Sequence, residues 1–183
     1  MDFTTLSDLQ LWNLIRKGDR SAFATLYKRH IKSLYNYGLR ISSDRGLIQD
    51  SLQELFIEFW NKKENLTEVK QVKIYLIKSF RYKLLRAISQ SQKLKQISIE
   101  DLLVEIPGIG SSKNEELQKR KAFLKDMLKE MPEKQRTVIH LKYYQRLSNS
   151  EIAEVLNVNY QSVSNLLHRA LTKLKKKLSE KKM

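Results

Sequence analysis

The sequence predicts an all-α protein built from two small helical domains joined by a flexible linker. Its 183 residues include only five glycines and two prolines, so few positions interrupt a helix. Good helix formers such as Leu, Lys, Glu and Gln are abundant, and no sustained alternation of apolar and polar residues indicates a strand. Pro and Gly cluster only at residues 107–110, where helical periodicity stops. The predicted division is a first domain over residues 1–92, a linker over 93–117 and a second domain over 118–183.

Charge is distributed unevenly along the chain. Residues 1–96 carry a net charge of +9 and residues 117–183 carry +10, whereas residues 97–116 carry −4. Each basic domain suits a polyanionic partner, and the acidic linker between them should avoid DNA. The sequence has no cysteine, no secretory signal and no apolar stretch of about 20 residues, so we expect a cytoplasmic protein without direct membrane insertion.

The first domain opens with two predicted amphipathic helices. Leu9, Trp12 and Ile15 recur at helical spacing and are expected to face the core, and Gly18 is suited to end that first helix. A second helix follows, and its apolar stripe is expected to face the core. The residues of that stripe are Phe23, Leu26, Tyr27, Ile31 and Leu34.

A third helix is expected to begin near Ser43 or Asp44, because either side chain can cap it. Its apolar face consists of Ile48, Leu52, Leu55, Phe56 and Phe59. The opposite face carries Asp50, Gln53, Glu54 and Ile57, with Trp60 at its margin. An isoleucine among carboxylates and a carboxamide suits a polar protein interface, so this face is a candidate protein-binding surface. A solvated face with one stray isoleucine is the other interpretation.

A fourth helix is predicted from about Thr67 to Ser89. Its apolar stripe consists of Val69, Val72, Leu76, Phe80 and Leu84. The other side presents Tyr75, Lys78, Arg81, Tyr82 and Arg86. Unpaired bases stack on aromatic rings while Lys and Arg neutralise phosphates, so this mixture indicates a site for single-stranded nucleic acid. Alternatively, the two tyrosines are ordinary half-buried helix residues.

The second domain contains a predicted helix-turn-helix over residues 147–170. Ser148 and Glu151 form a capping box, and Asn157 suits a left-handed turn. The second helix of the unit starts near Asn159, and its apolar side is expected to be buried through Val163, Leu167, Ala170, Leu171 and Leu174. The candidate contacts to duplex DNA are Tyr160, Gln161, Ser162, Ser164, Asn165, His168, Arg169 and Lys173. An ordinary helical hairpin with a solvated polar face is the alternative.

Neither catalysis nor a cofactor is predicted. The three histidines, at positions 30, 140 and 168, lie on separate predicted helices without the spacing of metal ligands. No paired base and nucleophile or clustered carboxylates are evident, so we expect no catalytic residue and no metal. A free-standing helix-turn-helix repressor or activator stays open as an alternative function, although such proteins usually dimerise and this chain shows no heptad seam.

Along nearly its whole length, the chain resembles the extracytoplasmic-function (ECF) sigma factors of bacterial RNA polymerase, because it carries an ordered set of residues at the spacing of that family. In the first domain the resemblance rests on Gly18-Asp19, Ala22-Phe23, Leu26-Tyr27 and the segment from Asp50 to Trp60. In the second domain the matching positions are Leu128, Met131-Pro132, Gln135-Arg136, Val138, Leu141, Tyr143, Leu147-Ser148, Glu151-Ile152-Ala153, Val163, Asn165, Arg169-Ala170 and Leu174. The resemblance implies a region 2-like first domain and a region 4-like second domain.

The resemblance further implies a sigma factor that binds core RNA polymerase and directs promoter-specific transcription initiation, including promoter melting. The segment from Asp50 to Trp60 would dock on a helical clamp of the polymerase, through Asp50, Gln53, Glu54, Ile57 and Trp60. The next helix would hold the melted strand near the start site, and the helix-turn-helix would bind the upstream element as duplex. The acidic linker would thread through the polymerase and mimic nucleic acid. An anti-sigma protein is also expected as a partner.

One part of the fourth helix departs from the pattern of the family it resembles. Many members have an Asn, an acidic residue four positions on and an Arg three beyond, where this chain has Tyr82, Arg86 and Ser89. The bases that this helix would recognise are therefore not implied by the resemblance.

Overall fold

The computed structural model describes residues 3–94, 127–128 and 130–180, and the chain divides into two compact units, Met1–Leu103 and Val104–Met183. The first unit contains α1 (Asp8–Arg16), α2 (Arg20–Gly38), α3 (Arg45–Asn61), a 3-10 turn (Lys63–Asn65) and α4 (Val72–Leu94). The second contains α5 (Glu133–Ile139), a π-helical segment (His140–Tyr144), α6 (Asn149–Leu156) and α7 (Tyr160–Glu180). The described residues include no strand, which confirms the predicted all-α class. Most of the predicted linker at 93–117 lies outside the described residues.

Helix α1 ends just before Gly18 as its sequence predicts, whereas the cap at its start was not predicted. Ser7 and Gln10 form a reciprocal capping box, and Gly18 adopts a left-handed φ of +88° after the last turn. The predicted inward position of Leu9 is wrong, since its side chain is 43% exposed while Leu11 is fully buried. The buried face is defined by Leu11, Trp12 and Ile15, and Leu9 lies more than about 100° around the helix axis from the centre of that face.

Helix α2 buries part of the predicted stripe, Leu26 and Leu34, together with residues that were not predicted. Asp19 caps the helix, and the buried residues are Ala22, Leu26, His30, Leu34, Tyr37 and Gly38. Tyr27 is exposed, so the expectation that it faces the core is wrong, and Phe23 and Ile31 are only half-buried. These three residues follow an i, i+4, i+8 row beside the buried row, at the edge of the packed surface rather than its centre.

Helices α3 and α4 complete the first unit. All five predicted core residues of α3 are buried, and Asp44 caps it by accepting from the Leu47 backbone N–H at 3.0 Å. α4 begins at Val72, later than predicted, and Val69 is half-buried outside the helix. One reason is that the indole of Trp12 donates to the Thr67 carbonyl at 3.2 Å, which leaves that carbonyl directed at α1. Gly38 lets α2 approach α3 and α4 closely, because a Cβ at this position would lie 2.8 Å from the Ile48 side chain and 2.9 Å from the Phe80 ring.

The second unit is a helix-turn-helix preceded by a short helix. The capping box of Ser148 and Glu151 is present, and Asn157 has the predicted left-handed conformation with φ of +53°. Met131, Ile139 and Ala170 form a core cluster against which Leu128 and Leu174 pack. The predicted burial of Leu171 is wrong, since it is 41% exposed. It lies about 100° around the helix from Ala170 and so turns away from that cluster.

Candidate protein and nucleic-acid interfaces

A groove with a volume of about 890 Å³ runs along the first unit where α2 and α3 meet. Much of its wall is the row of Phe23, Tyr27 and Ile31 on α2, with Leu52 and Phe56 of α3 opposite. The ring of Tyr27 meets that of Phe56 edge to face, with centroids 4.8 Å apart. Large apolar side chains therefore line a concave surface that no described part of the chain fills.

The predicted protein-binding residues of α3 lie at or beside this groove. Gln53, Ile57 and Trp60 line it, and Asp50 and Glu54 are exposed on the adjoining surface. Ile57 is 52% exposed, although neighbouring apolar residues of the helix are buried. The Trp60 ring packs 5.1 Å from that of Phe23, and the ammonium of Lys63 lies 5.0 Å from its centroid. The groove thus has an apolar floor and a polar rim.

The predicted strand-binding residues of α4 fall into two groups. Tyr82 is 69% exposed, and Lys78 and Arg86 are exposed too. Tyr75 is half-buried, with its ring edge to face with Trp12 at 5.0 Å. Arg81 is half-buried and interacts with the Tyr37 phenol; burial raises the pKa of Tyr37 while this arginine opposes the rise. The structure therefore presents Lys78, Tyr82 and Arg86 outward and directs Tyr75 and Arg81 toward the unit's interior.

An ion-pair bridge holds α3 to α4 beside these residues. The carboxylate of Glu58 accepts from Lys62 at 2.5 Å and also pairs with Lys83 of α4. These two hydrogen bonds, that of Lys62 first, lower the pKa of Glu58 to about 2. Lys83 therefore serves the packing of the two helices, and sequence periodicity gave no sign of the bridge.

The first turns of α7 carry the predicted duplex-binding residues. Tyr160, Gln161, Asn165, His168 and Arg169 are exposed, and Ser162 and Ser164 are partly buried. Asn159 caps the helix by accepting from the Ser162 backbone N–H at 2.7 Å. The Gln161 amide donates to the Asn165 side-chain oxygen at 3.2 Å, so these two side-chain amides are aligned one turn apart.

Two lysines farther along α7 are engaged within the unit. Lys173 is partly buried and donates to the Glu130 carbonyl oxygen at 3.0 Å, and Lys177 pairs with the Glu130 carboxylate. Lys175 and Lys176 are exposed. The structure thus sets Lys173 apart from the other predicted duplex contacts.

Two polar residues that sequence reasoning missed connect to this surface through Ser164. Lys142 donates to Asn149 at 2.9 Å, and the Asn149 amide donates to Ser164 at 3.4 Å. The spacing of seven and fifteen residues between the hydrogen-bonded partners has no sequence signature, and only the packing of three elements brings them together.

The histidines do not form a metal site in the described ranges. No group of three His, Asp or Glu residues suited to a metal ion occurs in that part of the chain. His30 is buried and its Nε2 lies 2.7 Å from Asp8, which also accepts from Arg29 at 2.6 Å. His140 stacks on Tyr144, and His168 is exposed. No described helix is both long enough and apolar enough to span a bilayer.

The comparisons with known proteins point to one family. The profile of the family described as Sigma-70, region 4 matches residues 124–174. An RNA polymerase sigma-E factor of Streptomyces avermitilis is 25% identical over 167 residues, which cover 90% of this chain and 89% of the relative. The ECF RNA polymerase sigma factor SigW of Bacillus subtilis is 25% identical over 182 residues, covering 91% of this chain and 94% of the relative.

The solved structures show the same fold. The sigma factor RpoE of Bartonella quintana, crystallised with the anti-sigma factor NepR, superposes with a TM-score of 0.63 at 17% identity. The superposition covers 86% of this chain and 96% of that chain. The matched region 4 and the two relatives aligned over most of their length make the chain similar to sigma factors of the extracytoplasmic-function group, and the solved structure shows the same fold.

Proposed function

We propose that this chain is a sigma factor that directs promoter-specific transcription initiation by holding core RNA polymerase and promoter DNA on three surfaces. The groove between α2 and α3 with its rim binds the polymerase, the exposed face of α4 holds the melted strand, and the first turns of α7 read the upstream duplex. The observation that carries the proposal is the groove, because Phe23, Tyr27 and Ile57 leave apolar area uncovered on the unit. Such a surface marks a protein interface.

Docking through the groove follows from its chemistry. A helix of the polymerase clamp supplies apolar residues for the floor formed by Phe23, Tyr27 and Phe56. Gln53 and Glu54 on the rim offer hydrogen-bond and charge partners, which set specificity rather than bulk affinity.

Strand separation is assigned to the outward group on α4. Tyr82 offers a ring on which an unpaired base can stack, and Lys78 and Arg86 supply positive charge for phosphates. The inward-directed Tyr75 and Arg81 support this face through their contacts with Trp12 and Tyr37. Melting therefore depends on a smaller set of α4 residues than periodicity alone suggests.

Upstream recognition is assigned to α7, with Gln161 and Asn165 as the base-reading pair and Arg169 directed at the phosphate backbone. We assign the acidic linker to the polymerase interior, and we place the protein in the cytoplasm. An anti-sigma protein is a further proposed partner, since the structural relative of Bartonella quintana was crystallised with one. The chain acts without catalysis of its own and without a cofactor.

The docking surface is tested by the double variant Gln53→Lys/Glu54→Lys. We expect core polymerase binding, measured by fluorescence titration, to weaken at least about tenfold. Gln71→Lys/Glu68→Lys is the matched control, because it changes the net charge equally at two exposed positions before α4. Equal weakening by both pairs, or by neither, would remove α3 as the docking face.

The melting surface is tested by Tyr82→Ala and Tyr82→Phe in complexes with core polymerase. Permanganate reactivity of promoter thymines should fall with Ala and persist with Phe, because stacking contributes about 1–3 kcal/mol per base. Isolated wild-type chain should bind promoter duplex weakly. Tight, specific binding without polymerase would instead indicate a free-standing repressor or activator.

A further inference from the structure

A chain of three polar side chains links three elements of the second unit. Lys142 of the π-helical segment donates from Nζ to Oδ1 of Asn149, the first residue of α6, at 2.9 Å. Asn149 donates from Nδ2 to Oγ of Ser164 on α7 at 3.4 Å. All three residues are partly buried, so water competes for these bonds less than at an open surface.

The chemistry of Lys142 fixes the direction of every bond in this chain. An ammonium group only donates, so the amide of Asn149 must turn its oxygen to Lys142 and its NH₂ group to Ser164. The Ser164 oxygen therefore accepts, and its hydroxyl proton points elsewhere. Among the described residues, no backbone or side-chain acceptor is paired with that proton.

We propose that Asn149 is a positioning residue that fixes the Ser164 hydroxyl as a hydrogen-bond donor toward a base edge in the major groove. Guanine, adenine and thymine each present an acceptor there, whereas cytosine presents only an amino donor. The base that faces Ser164 is consequently any base except cytosine. This inference rests on the proposed reading of upstream duplex by α7 and adds to it the polarity of one contact.

The location of Asn149 suits a positioning role. It lies in the first turn of α6, directly after the Ser148 cap, so its backbone is held by the capping box with Glu151. Its amide hydrogen bond reaches α7 one turn into the helix, beside the exposed Asn165. Lys142 and Ser164 each engage one of the two polar groups of the Asn149 side chain, which orients the amide toward Ser164.

The test measures base preference rather than affinity alone. Wild type, Asn149→Asp, Ser150→Asp and Ser164→Ala are each combined with bacterial core polymerase and transcribe a promoter library with a randomised upstream element. The promoter position at which Ser164→Ala alone loses discrimination defines the base that faces Ser164. At that position the wild type should disfavour cytosine about fivefold, the effect of one hydrogen bond.

Asn149→Asp should reverse the polarity of the contact. A carboxylate only accepts, so Ser164 then donates its proton to residue 149 and presents its lone pairs to the groove. Cytosine should change from the least favoured base to a favoured one at that single position. Ser150→Asp is the matched control, because it adds the same charge at the neighbouring exposed position and should lower transcription uniformly without changing base preference.

The outcomes separate this inference from the proposed function. Transcription of no promoter by the wild type would refute the proposed function itself. Normal promoter selection with identical base profiles for Asn149→Asp and Ser150→Asp would refute only the role of Asn149. A uniform loss with Ser164→Ala, without a position-specific effect, would assign the hydroxyl to a phosphate and refute base recognition. Circular dichroism verifies folding, and Ser164→Ala keeps the test decisive if Asn149→Asp misfolds.

Discussion

The two units carry candidate binding surfaces of opposite chemical character. In the first unit, an apolar groove is lined by Phe23, Tyr27 and Ile57, and its polar groups stand at the rim. In the second unit, the exposed face of the first turns of α7 is mainly polar, and some of its side chains are held by hydrogen bonds such as that between Gln161 and Asn165. Apolar area supplies affinity with little sequence information, whereas oriented donors and acceptors supply specificity. This difference agrees with the proposal that the first unit binds polymerase and the second selects promoters.

The interiors of the two units also differ in the side chains that fill them. The first unit is packed around aromatic rings, with the ring centroid of Phe59 4.9 Å from that of Trp12, in a stacked arrangement, and 5.9 Å from that of Phe23. A core cluster of the second unit consists of Met131, Ile139 and Ala170 with two leucines at its edge. Because burial of these aromatic side chains stabilises the first unit, apolar residues of the groove can stay uncovered with little loss in its free energy of unfolding.

Trp12→Ala is expected to produce the largest effect and to confine it to the first unit. Trp12 is almost fully buried, contacts Phe59 and Tyr75, and donates to Thr67. Its removal should lower the free energy of unfolding of that unit by about 3–5 kcal/mol. Both tryptophans of the chain lie in the first unit, so the remaining Trp60 reports its denaturation by fluorescence.

Val163→Ala in the second unit is the control for that measurement. Val163 is fully buried in α7, so the change should shift the far-ultraviolet circular dichroism transition and leave Trp60 fluorescence unchanged. A shift of the fluorescence transition by Val163→Ala would show that the two units unfold as one, contrary to the proposed division.

Asp8→Asn should remove an acid-sensitive contact from the first unit. The hydrogen bond from His30, with that of Arg29, lowers the pKa of Asp8 below its ordinary value of 3.8, although burial opposes the effect. A carboxyl group whose pKa is lowered by folding stabilises the protein above its unfolded pKa and loses that contribution as pH falls. We expect a loss of about 1.5–3 kcal/mol at pH 7, as for a hydrogen bond to a charged group.

The pH dependence of that loss is its check. Denaturant unfolding followed by tryptophan fluorescence should show a difference between wild type and Asp8→Asn that shrinks below about pH 4. A difference that stays constant down to pH 2 would mean that the ionised carboxylate contributes nothing to the contact.

Ser7→Ala and Ser148→Ala form a matched pair across the two units. Each serine begins a helix through a capping box, with Gln10 as its partner in α1 and Glu151 in α6. Each substitution should cost about 1 kcal/mol. Ser7→Ala should shift the fluorescence transition and Ser148→Ala only the circular dichroism transition. Equal shifts of the fluorescence transition by both would contradict independent unfolding.

Local signals in the sequence predicted much of this fold. The Ser148 capping box, the left-handed Asn157 and the buried face of α3 all follow from spacing and side-chain chemistry within one helix. The start of α4 did not, because the Thr67 carbonyl is taken by Trp12, which lies 55 residues away in sequence. Contacts of that kind depend on the assembled unit.

The groove and the Lys142, Asn149, Ser164 chain were missed for a related reason. An apolar row on α2 is consistent with either a covered or an uncovered surface, and only the position of α3 decides between them. Likewise, Asn149 is an unremarked residue of a first turn until α7 brings Ser164 within hydrogen-bond distance. The roles of all the proposed binding residues remain predictions until the variants are measured.

Arg146→Gly is expected to have the smallest effect, and unlike the other substitutions it should raise the free energy of unfolding. The first unit uses glycine at its left-handed turn, Gly18 with φ of +88°, whereas the second unit uses Arg146 at +56° and Asn157 at +53°. In this conformation Cβ lies too close to the following carbonyl oxygen. The short polar side chain of asparagine can offset that clash with a local hydrogen bond, whereas the long side chain of arginine is not suited to do so. Glycine at 146 should therefore stabilise the second unit by about 0.5–1 kcal/mol, and Asn157→Gly should be close to neutral. The circular dichroism transition measures the effect of both substitutions. If Arg146→Gly destabilised the second unit, the contacts of the arginine side chain would contribute more to stability than its backbone strain costs.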